Sequence, residues 1–307
     1  MNMNRREFLV AALGVALGAG AAEPPKGTLR GVMTQPLLAC GDGRAYLVAP
    51  DGHIAWFVPN CGNIHRVWLH DGWVYWSNEN LYRTNVVTGR TELFYKPCEK
   101  EGLYGFEVLA NGNIVIAENG TDFITELKAG TTTPVVKFKG SPRLADGTMP
   151  TDPHHHFRMV RKTAAGTYLV CCSGANTLRE YDARGALVWE QPTPALAFDA
   201  LRRANGNTLI SHLGAISEYT PDHKVVWRFT CEDAPALKLA NLCGIWEKPN
   251  GNLVVGTYAN GVEDGSRVTA FEITREKRVL WSYAPAGKRV STMTAFPIEA
   301  KAWPLAL

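Results

Sequence analysis

Short apolar runs separated by tight turns repeat along most of the chain, and this pattern predicts β-strands. Each repeat holds an apolar strand, a glycine turn, a second apolar strand, a polar tip, a third strand, a further turn and a last strand with an aromatic residue. Residues 197–229 are the clearest copy. Asn205-Gly206 in this copy is a strong hairpin signal, because both residue types tolerate positive φ. The pattern therefore predicts an all-β protein built from one recurring four-stranded unit.

The glycine turn and the last strand both recur at a regular spacing. Further copies of the turn are Asp71-Gly72, Asn111-Gly112, Ala165-Gly166 and Asn250-Gly251. The last strand is degenerate around Phe94 and Phe138, and in the other copies it ends in Trp56, Trp189, Trp227 and Trp281. The spacing is close to the roughly 40–50 residues of a four-stranded propeller blade. We expect these four Trp side chains to pack between blades.

The first copy of the unit is incomplete. Residues 36–58 supply three strands, whereas Val290–Ile298 follows Trp281 without a hairpin partner of its own. If Val290–Ile298 becomes the inner strand of the first unit, the ring of sheets closes and its open edge disappears. The sequence thus predicts a single six-bladed β-propeller closed by a C-terminal strand that completes the first blade. A β-sandwich and an open solenoid are the alternatives, and neither explains the missing strand.

The first 22 residues have the layout of an export signal. Two Arg precede an apolar run from Phe8 to about Leu17, and small residues follow. Asn4–Leu9 resembles the twin-arginine signal, with an ordinary secretory signal as the alternative. We therefore expect a signal peptide over 1–22, a leader over 23–35, the propeller over 36–298 and a C-terminal tail over 299–307. The mature protein is predicted to be periplasmic or otherwise exported.

The net charge argues against a nucleic-acid partner, and the cysteine count bears on disulfide bonds. The net charge is +3, too small an excess for the electrostatic footprint of a nucleic-acid-binding protein. No second long apolar run follows the signal, so no membrane span is expected in the mature chain. The oligomeric state stays open. Seven Cys leave at least one thiol without an internal partner, and we expect the adjacent Cys171 and Cys172 to be separate strand thiols, because neighbouring strand side chains face opposite ways.

The amino-acid sequence of the repeat resembles those of known propeller families. Asn205-Gly206-Asn207, followed by Glu218-Tyr-Thr-Pro-Asp-His-Lys-Val-Val-Trp227, is similar to the blades of quinoprotein-type (PQQ-like) propellers and of bacterial arylsulfotransferase propellers. The resemblance covers about residues 36–298. It implies a propeller, with a quinone-dependent oxidoreductase or a sulfotransferase as functions. Of the fuller quinoprotein docking motif, Asp182-x-x-Gly185-x-x-x-Trp189 is present. The arylsulfotransferases use a sulfated His, and the resemblance implies that His212 is the corresponding residue here.

Polar residues recur where the strands reach one face of the predicted ring. The residues six positions after the turn glycines end the second strands, and they are Asn78, Glu118, Cys172, His212 and Thr257. The starts of the inner strands reach the same rim with His65, Arg66, Tyr104, His154, His155, His156, Asp199 and the segment Cys243–Trp246. The long connection Gly140–Pro153 crosses this face and is a candidate lid. We expect these groups to form a ligand site, because propellers commonly bind ligands at strand ends.

Two kinds of chemistry fit these residues. A divalent metal would be held by His154, His156 and Asp152, because alternate residues of an extended strand share a face and His155 would point away; His65, His212 or Glu118 would complete the set. Without a metal, His65, His154, His156 or His212 beside Glu118 would act as a general base. Anion contacts would come from Arg66 and Arg158. Further substrate contacts would come from Asn78, Tyr104, His155, Asp199, Trp246 and Tyr258.

The sequence therefore predicts an exported propeller that binds a small molecule or glycan at a His-rich face. A hydrolase or lyase acting on carbohydrate is the first hypothesis. A non-catalytic propeller that binds a protein or polysaccharide is the second. A quinone-dependent or arylsulfotransferase-like enzyme is the third.

Overall fold

The structure is a computed structural model that describes residues 27–97, 102–258, 268–285, 294–305 and 307. The predicted signal peptide lies outside these residues. The described strands form six antiparallel sheets, arranged as blades.

In chain order the strands are β1 (Gly27–Gly31); β2 (Leu37–Gly41), β3 (Arg44–Val48) and β4 (Ile54–Val58) of blade one; β5 (Arg66–His70), β6 (Trp73–Ser77), β7 (Leu81–Asn85) and β8 (Thr91–Tyr95) of blade two; β9 (Leu103–Val108), β10 (Ile114–Glu118), β11 (Phe123–Leu127) and β12 (Pro134–Lys139) of blade three; β13 (Met159–Lys162), β14 (Tyr168–Cys172), β15 (Thr177–Tyr181) and β16 (Leu187–Pro192) of blade four; β17 (Ala197–Arg202), β18 (Thr208–His212), β19 (Ala215–Tyr219) and β20 (Val225–Thr230) of blade five; β21 (Asn241–Glu247), β22 (Leu253–Tyr258), β23 (Ala270–Ile273) and β24 (Val279–Pro285) of blade six; and β25 (Thr294–Pro297), which belongs to blade one. Short 3₁₀ helices cover Pro153–His155, Cys231–Asp233, Pro235–Leu237 and Ala300–Ala302.

The predicted closure of the ring is confirmed. β25 pairs antiparallel with β2, with Leu38 opposite Phe296 and Cys40 opposite Thr294, so the C-terminal strand is the inner strand of blade one. Residues 290–293 of the predicted strand lie outside the described residues. The inner strands β5, β9, β13, β17, β21 and β25 contact one another in sequence and line a central channel. The protein is an all-β, six-bladed propeller.

Both ends of the described chain attach to blades. Within the predicted leader, β1 adds a fifth strand to the outer edge of blade six, with Gly31 opposite Trp281. Within the predicted tail, Trp303 is buried against Trp56, with ring centroids 5.3 Å apart. Segments on either side of the repeats thus extend the packing of blades six and one.

Burial is greatest in the middle strands of the blades and least in the outer strands. β10 and β18 are buried along their whole length, whereas the outer strands β16 and β20 begin with exposed residues. β-branched and aromatic residues dominate the buried strands because they pack well on a pleated surface. Apolar side chains between adjacent blades form the core.

The hairpin turns are of two kinds. Asp71 and Gly72 both have positive φ and join β5 to β6 as a two-residue loop, the type I′ geometry. In the Asn-Gly copies only the glycine has positive φ, as at Gly206. There the Asn205 carboxamide oxygen accepts a hydrogen bond from the Asn207 amide at 3.0 Å. The predicted hairpin is confirmed, and its loop needs only one left-handed position because it holds one more residue than the Asp71-Gly72 loop.

Three of the recurring Trp residues contact a neighbouring blade, as predicted. The Trp189 indole donates to the carbonyl of Pro221 at 3.1 Å, and the Trp227 indole donates to the carbonyl of Arg275 at 2.7 Å. Each carbonyl lies in the turn before the last strand of the next blade. Trp281 also packs between blades, in an apolar cluster with Leu37 and Tyr46 of blade one, while its indole donates to Glu272 within blade six.

In the described part of the chain, no helix has the length and apolar character needed to cross a lipid bilayer.

Candidate functional site

The starts of the inner strands meet at one mouth of the channel, as the repeat predicts. His65 precedes β5, Tyr104 lies in β9 and Arg158 precedes β13. Phe198 in β17 and Cys243 in β21 occupy the same end of their strands. Because all inner strands run in the same direction, residues at these positions share one face of the ring.

Four of the predicted site residues form what we call the imidazole cluster: His65, Tyr104, His154 and Arg158. The rings of His65 and Tyr104 lie 4.3 Å apart, those of Tyr104 and His154 4.5 Å, and those of His65 and His154 5.5 Å. The guanidinium carbon of Arg158 lies 5.9 Å from the centre of the Tyr104 ring. Three blades and the loop before β13 thus bring two imidazoles, a phenol and a guanidinium together.

His154 reaches the mouth because the chain turns into a 3₁₀ helix at Pro153. The Asp152 side chain accepts a hydrogen bond from the His154 amide at 2.9 Å, which caps this helix. An Asp cap followed by Pro is a favourable helix start. The expectation of an extended strand over His154–His156 is therefore wrong.

A small cavity lies beneath the cluster. Its volume is about 10 Å³, room for roughly one water molecule, and its walls come from His65, Arg158, Met159, Phe198, Cys243 and Gly244. Nη1 of Arg158 lies 3.5 Å from Nδ1 of His65. The buried Nε atom of Arg158 and the buried Nε2 atom of His65 have no hydrogen-bond partner among the described residues. Two unsatisfied polar atoms on one cavity are a feature of ligand sites, because burying such groups without a partner costs free energy.

The electrostatics of the cluster keep both imidazoles neutral. Burial, followed by the charges of Arg158 and of His154, holds the pKa of His65 well below its usual value. Burial and Arg158 lower the pKa of His154 to about 4. At neutral pH both rings can therefore accept a proton, while Arg158 supplies positive charge beside them.

Arg66 and Asp199 lie deeper in the channel and form an ion pair with each other. Nη1 of Arg66 lies 3.1 Å from a carboxylate oxygen of Asp199, and Arg161 binds the same carboxylate with two nitrogens at 2.9 and 2.6 Å. Asp199 and Arg66 are completely buried. A buried charge needs an opposite charge beside it. The Asp199 carboxylate is therefore paired with Arg66 and Arg161 inside the channel, below the mouth. The prediction that Arg66 and Asp199 reach the rim is wrong for this reason.

Trp246 also lies away from the imidazole cluster. Its ring stacks on Phe296 at 5.1 Å and meets Trp68 edge-on at 5.7 Å. These three residues, which we call the aromatic floor, come from the middle of β5 and from the later parts of β21 and β25. Trp246 was expected at the His-rich rim, and the direction of β21 places it at the opposite mouth.

His156 is separated from His154 by its own ion pair. Nδ1 of His156 lies 2.7 Å from a carboxylate oxygen of Asp122, and this hydrogen bond with the carboxylate raises the pKa of His156 against the opposing effect of burial. The His155 carbonyl accepts from the Ser173 hydroxyl at 3.2 Å. Among the described residues, no three His, Cys, Asp or Glu side chains are arranged to hold a metal ion.

The residues at the ends of the second strands lie where predicted, but their contacts are local. Nε2 of His212 lies 3.1 Å from the Ser217 hydroxyl of its own blade, and Glu118 accepts hydrogen bonds from Tyr95 and Thr121. The Asn78 amide donates to the Cys61 carbonyl at 2.7 Å. Tyr258 lies close enough to Arg158 to influence the pKa of that guanidinium. His212 is on a second strand, so it does not line the channel.

Several residues at the site escaped the sequence interpretation. Phe198 and Met159 line the cavity, Asp122 holds His156, and Arg161 neutralises Asp199. Phe198 stands at the same repeat position as Tyr104 and Arg158, eight residues before the turn glycine, and Met159 follows directly after that position in blade four. Extending the repeat register through every blade would have found Phe198.

The described cysteines carry free thiols: Cys40, Cys61, Cys171, Cys172, Cys231 and Cys243. Cys171 packs in one apolar cluster and Cys172 in another. The expectation of two separate strand thiols is confirmed.

Comparisons with known proteins identify the fold. A protein of unknown function from Bacteroides caccae has 21% sequence identity and a TM-score of 0.72, covering 86% of this chain and 99% of that chain. A streptogramin B lyase has 12% identity and a TM-score of 0.56, covering 90% and 100%. A catalytically inactive His-to-Ala variant of virginiamycin B lyase from Staphylococcus aureus with quinupristin has the same identity and TM-score, covering 89% and 100%. No protein-family model and no curated protein sequence matches the chain. At these identities the likeness is one of fold, and the chain is similar to propellers that include lyases.

Proposed function

We propose that the imidazole cluster binds the acidic group of a small molecule or glycan, and that the protein is a lyase acting on that ligand. The observation that carries this proposal is the pairing of a buried, partly unsatisfied Arg158 with two neutral imidazoles. Arginine binds carboxylates well because its planar fork matches both oxygens. A neutral imidazole is in the correct state to remove a proton.

The chemistry that fits is proton abstraction next to a carboxylate, followed by elimination. His154 takes the proton from the carbon beside the carboxylate, a carbon–carbon double bond forms, and the leaving oxygen departs with the electron pair of its bond to the neighbouring carbon. Arg158 stabilises the charge that builds up on the carboxylate. Tyr104 offers a ring against which a sugar can lie. This reaction needs no oxidant and no metal.

Elimination suits the cluster better than hydrolysis of a glycosidic bond. Most glycoside hydrolases use a pair of carboxylates on either side of the bond. The groups that converge here are two imidazoles and a guanidinium, with Asp152 engaged in capping a helix. The lyases of similar fold support the idea only at the level of architecture.

Entry of a ligand requires the mouth to widen. The cavity holds about 10 Å³ in this structure, and the His154 ring, on the short helix Pro153–His155, packs against His65 of the cavity wall. We infer that the loop before β13 moves outward with His154 when a ligand binds, as lids over active sites do.

The test uses three acidic glycans, namely oligogalacturonate, oligoalginate and hyaluronan oligosaccharides, with the ultraviolet absorbance of the unsaturated product as readout. We expect one of them to be cleaved. We expect His154→Ala and Arg158→Met to lower kcat/KM by about 10²-fold or more. His53→Ala is the matched control, because His53 is an exposed histidine on blade one. Binding by calorimetry without product would favour the non-catalytic module, and neither binding nor product from any glycan would contradict the proposal.

Export, a divalent metal and a quinone remain proposals that simple measurements decide. N-terminal sequencing of periplasmic protein tests cleavage near residue 22. Elemental analysis of the purified mature protein tests for a bound metal, although His154, His156 and Asp152 are not arranged as a metal set in the described residues. The visible absorption spectrum tests the quinone that the quinoprotein resemblance implies, and mass spectrometry of His212 tests the sulfated intermediate that the arylsulfotransferase resemblance implies.

A further inference from the structure

The opposite mouth of the channel holds a much larger cavity than the imidazole cluster. Its volume is about 800 Å³, within the roughly 300–1,000 Å³ of small-molecule sites. The walls include Gln35, Arg203, Ala204, Trp246, Pro297 and Glu299. Arg203 follows β17, Trp246 lies near the end of β21 and Pro297 ends β25, so the cavity is built from blades five, six and one.

The aromatic floor separates this cavity from the imidazole cluster. Trp68 and Phe296 are buried beneath it, whereas Trp246 is half-buried and lines it. The ring of Trp246 is fixed by its stacking on Phe296 and its edge contact with Trp68. A rigid, partly exposed indole is a low-entropy contact surface for a flat or ring-shaped ligand.

The charged side chains of the wall neutralise one another. Arg203 binds Glu247 through Nη2 at 2.6 Å, and it also binds Glu218 at 2.8 Å. Lys248 binds Glu272 at 3.1 Å. The Gln35 amide donates to Glu299 at 3.2 Å. Since both cations are already paired, the cavity favours a neutral, hydrogen-bonding ligand over an anion.

We propose that this cavity is a second binding site, for a neutral saccharide, with one pyranose ring lying against Trp246. The apolar face of the sugar covers the indole, and its hydroxyls reach Gln35, Glu299 and the Arg203–Glu247 pair. The site is on the other face of the propeller from the imidazole cluster, so it does not depend on the lyase proposal.

The experiment is calorimetric titration of the mature protein with cellobiose, maltose, lactose and N,N′-diacetylchitobiose. The blocking variant is Ala204→Trp, because Ala204 is exposed in the wall and a large side chain there fills the cavity without removing a core contact. Ala164→Trp is the matched control, since Ala164 is the exposed residue at the same position of the blade-four turn. We expect at least one disaccharide to bind, Ala204→Trp to weaken it about tenfold or more, and Ala164→Trp to leave it unchanged.

Two results would overturn the proposal. One is that none of the four disaccharides binds the wild-type protein at millimolar concentration. The other is binding that survives Ala204→Trp and Trp246→Phe alike, which would locate the sugar elsewhere. His154→Ala separates the two proposals, because it is expected to leave disaccharide binding unchanged whether or not the lyase reaction exists.

Discussion

At the scale of single residues, Arg158 sets the properties of the candidate site. It is largely buried, and its charge acts on both His65 and His154. Opposite charge is scarce beside it, which is why its Nε atom lacks a partner among the described residues. A cation held this way repels a proton from the neighbouring imidazoles and attracts an anion. The same residue thus adds to burial in keeping the imidazoles neutral, and it is the basis of the proposal that the ligand is acidic.

Replacing Arg158 by Met is predicted to raise the pKa of His154. The wild-type value is about 4, through burial first and Arg158 second. Met keeps the cavity filled and removes the charge, so we expect the pKa to rise by about one unit towards the usual 6.5 or so. Histidine C–H resonances followed by NMR between pH 3 and 8 give the value directly.

The same pKa fixes the direction of a stability change with pH. The folded protein holds His154 neutral down to about pH 4, whereas an unfolded histidine takes up a proton near pH 6.5 or so. Acid therefore destabilises the wild type across this interval, and Arg158→Met should reduce that loss. Arg90→Met is the control, since Arg90 is an exposed arginine paired with Glu92 on blade two. An unchanged His154 pKa in Arg158→Met would rule out the charge as a cause.

The residue scale also shows where sequence reasoning failed and why. The predicted extended strand over His154–His156 is wrong, and the Asp152-Pro153 pair directly before it is a helix-start signal. Asp122 could not be matched with His156, because the two residues come from different blades and only the closed ring brings them to 2.7 Å. A local sequence signal therefore marks the short helix at Pro153, whereas no local signal marks the contact between Asp122 and His156.

At the scale of elements, glycine serves two separate purposes. Gly206 has a φ of +86° in a hairpin turn, and nothing lies within 4 Å of the position of an added Cβ. Gly105 in β9 has ordinary backbone angles, but an added Cβ would lie 2.8 Å from the Cα of Met159 and 2.9 Å from the carbonyl oxygen of Arg158. The first glycine allows a turn, and the second allows β9 to approach the start of β13.

These two glycines give a matched pair of substitutions. Gly206→Ala is predicted to cost about 1 kcal/mol, from left-handed backbone strain alone. Gly105→Ala is predicted to cost about 1–3 kcal/mol from overpacking. It should also shift Arg158, since backbone atoms must move. Urea denaturation gives the free energies of unfolding, and the NMR titration of His154 reports on Arg158. An altered His154 pKa in Gly206→Ala, or an unaltered one in Gly105→Ala, would contradict this account.

The strands themselves followed closely from the sequence, whereas the contacts between blades did not. Alternating apolar residues and glycine turns mark each hairpin within a few dozen residues of chain. In contrast, Glu126 of blade three pairs with Lys162 of blade four at 2.7 Å, and Glu180 of blade four pairs with Arg202 of blade five. Such pairs recur at one repeat position, yet their partners are fixed only when blades stack around the channel.

At the scale of the whole molecule, the two ends of the chain have unequal roles. β25 is the inner strand of blade one and contacts both β5 and β21 across the channel wall. β1 is the outermost strand of blade six. Repeat proteins depend on contacts between neighbouring units, and in a closed ring the inner strands make those contacts. Closure through β25 was predictable because the first repeat lacked a strand, whereas the leader before the first repeat carried no matching signal for β1.

Two truncations of the mature chain test this difference. Ending the chain after Pro285 removes β25, including the buried Phe296, whose side chain alone is worth about 3–5 kcal/mol. We expect this chain to lose its cooperative thermal transition and to expose blade one to aggregation, because β2 then presents an open edge. Starting the chain at Val32 removes β1 and leaves every inner strand in place, so we expect a folded propeller with only a modestly lower Tm. Adding a peptide of residues 294–307 should restore the cooperative transition to the first truncation. If the two truncations behave alike, or if the peptide has no effect, the inner strand does not close the ring in the way the pairing of Leu38 with Phe296 indicates.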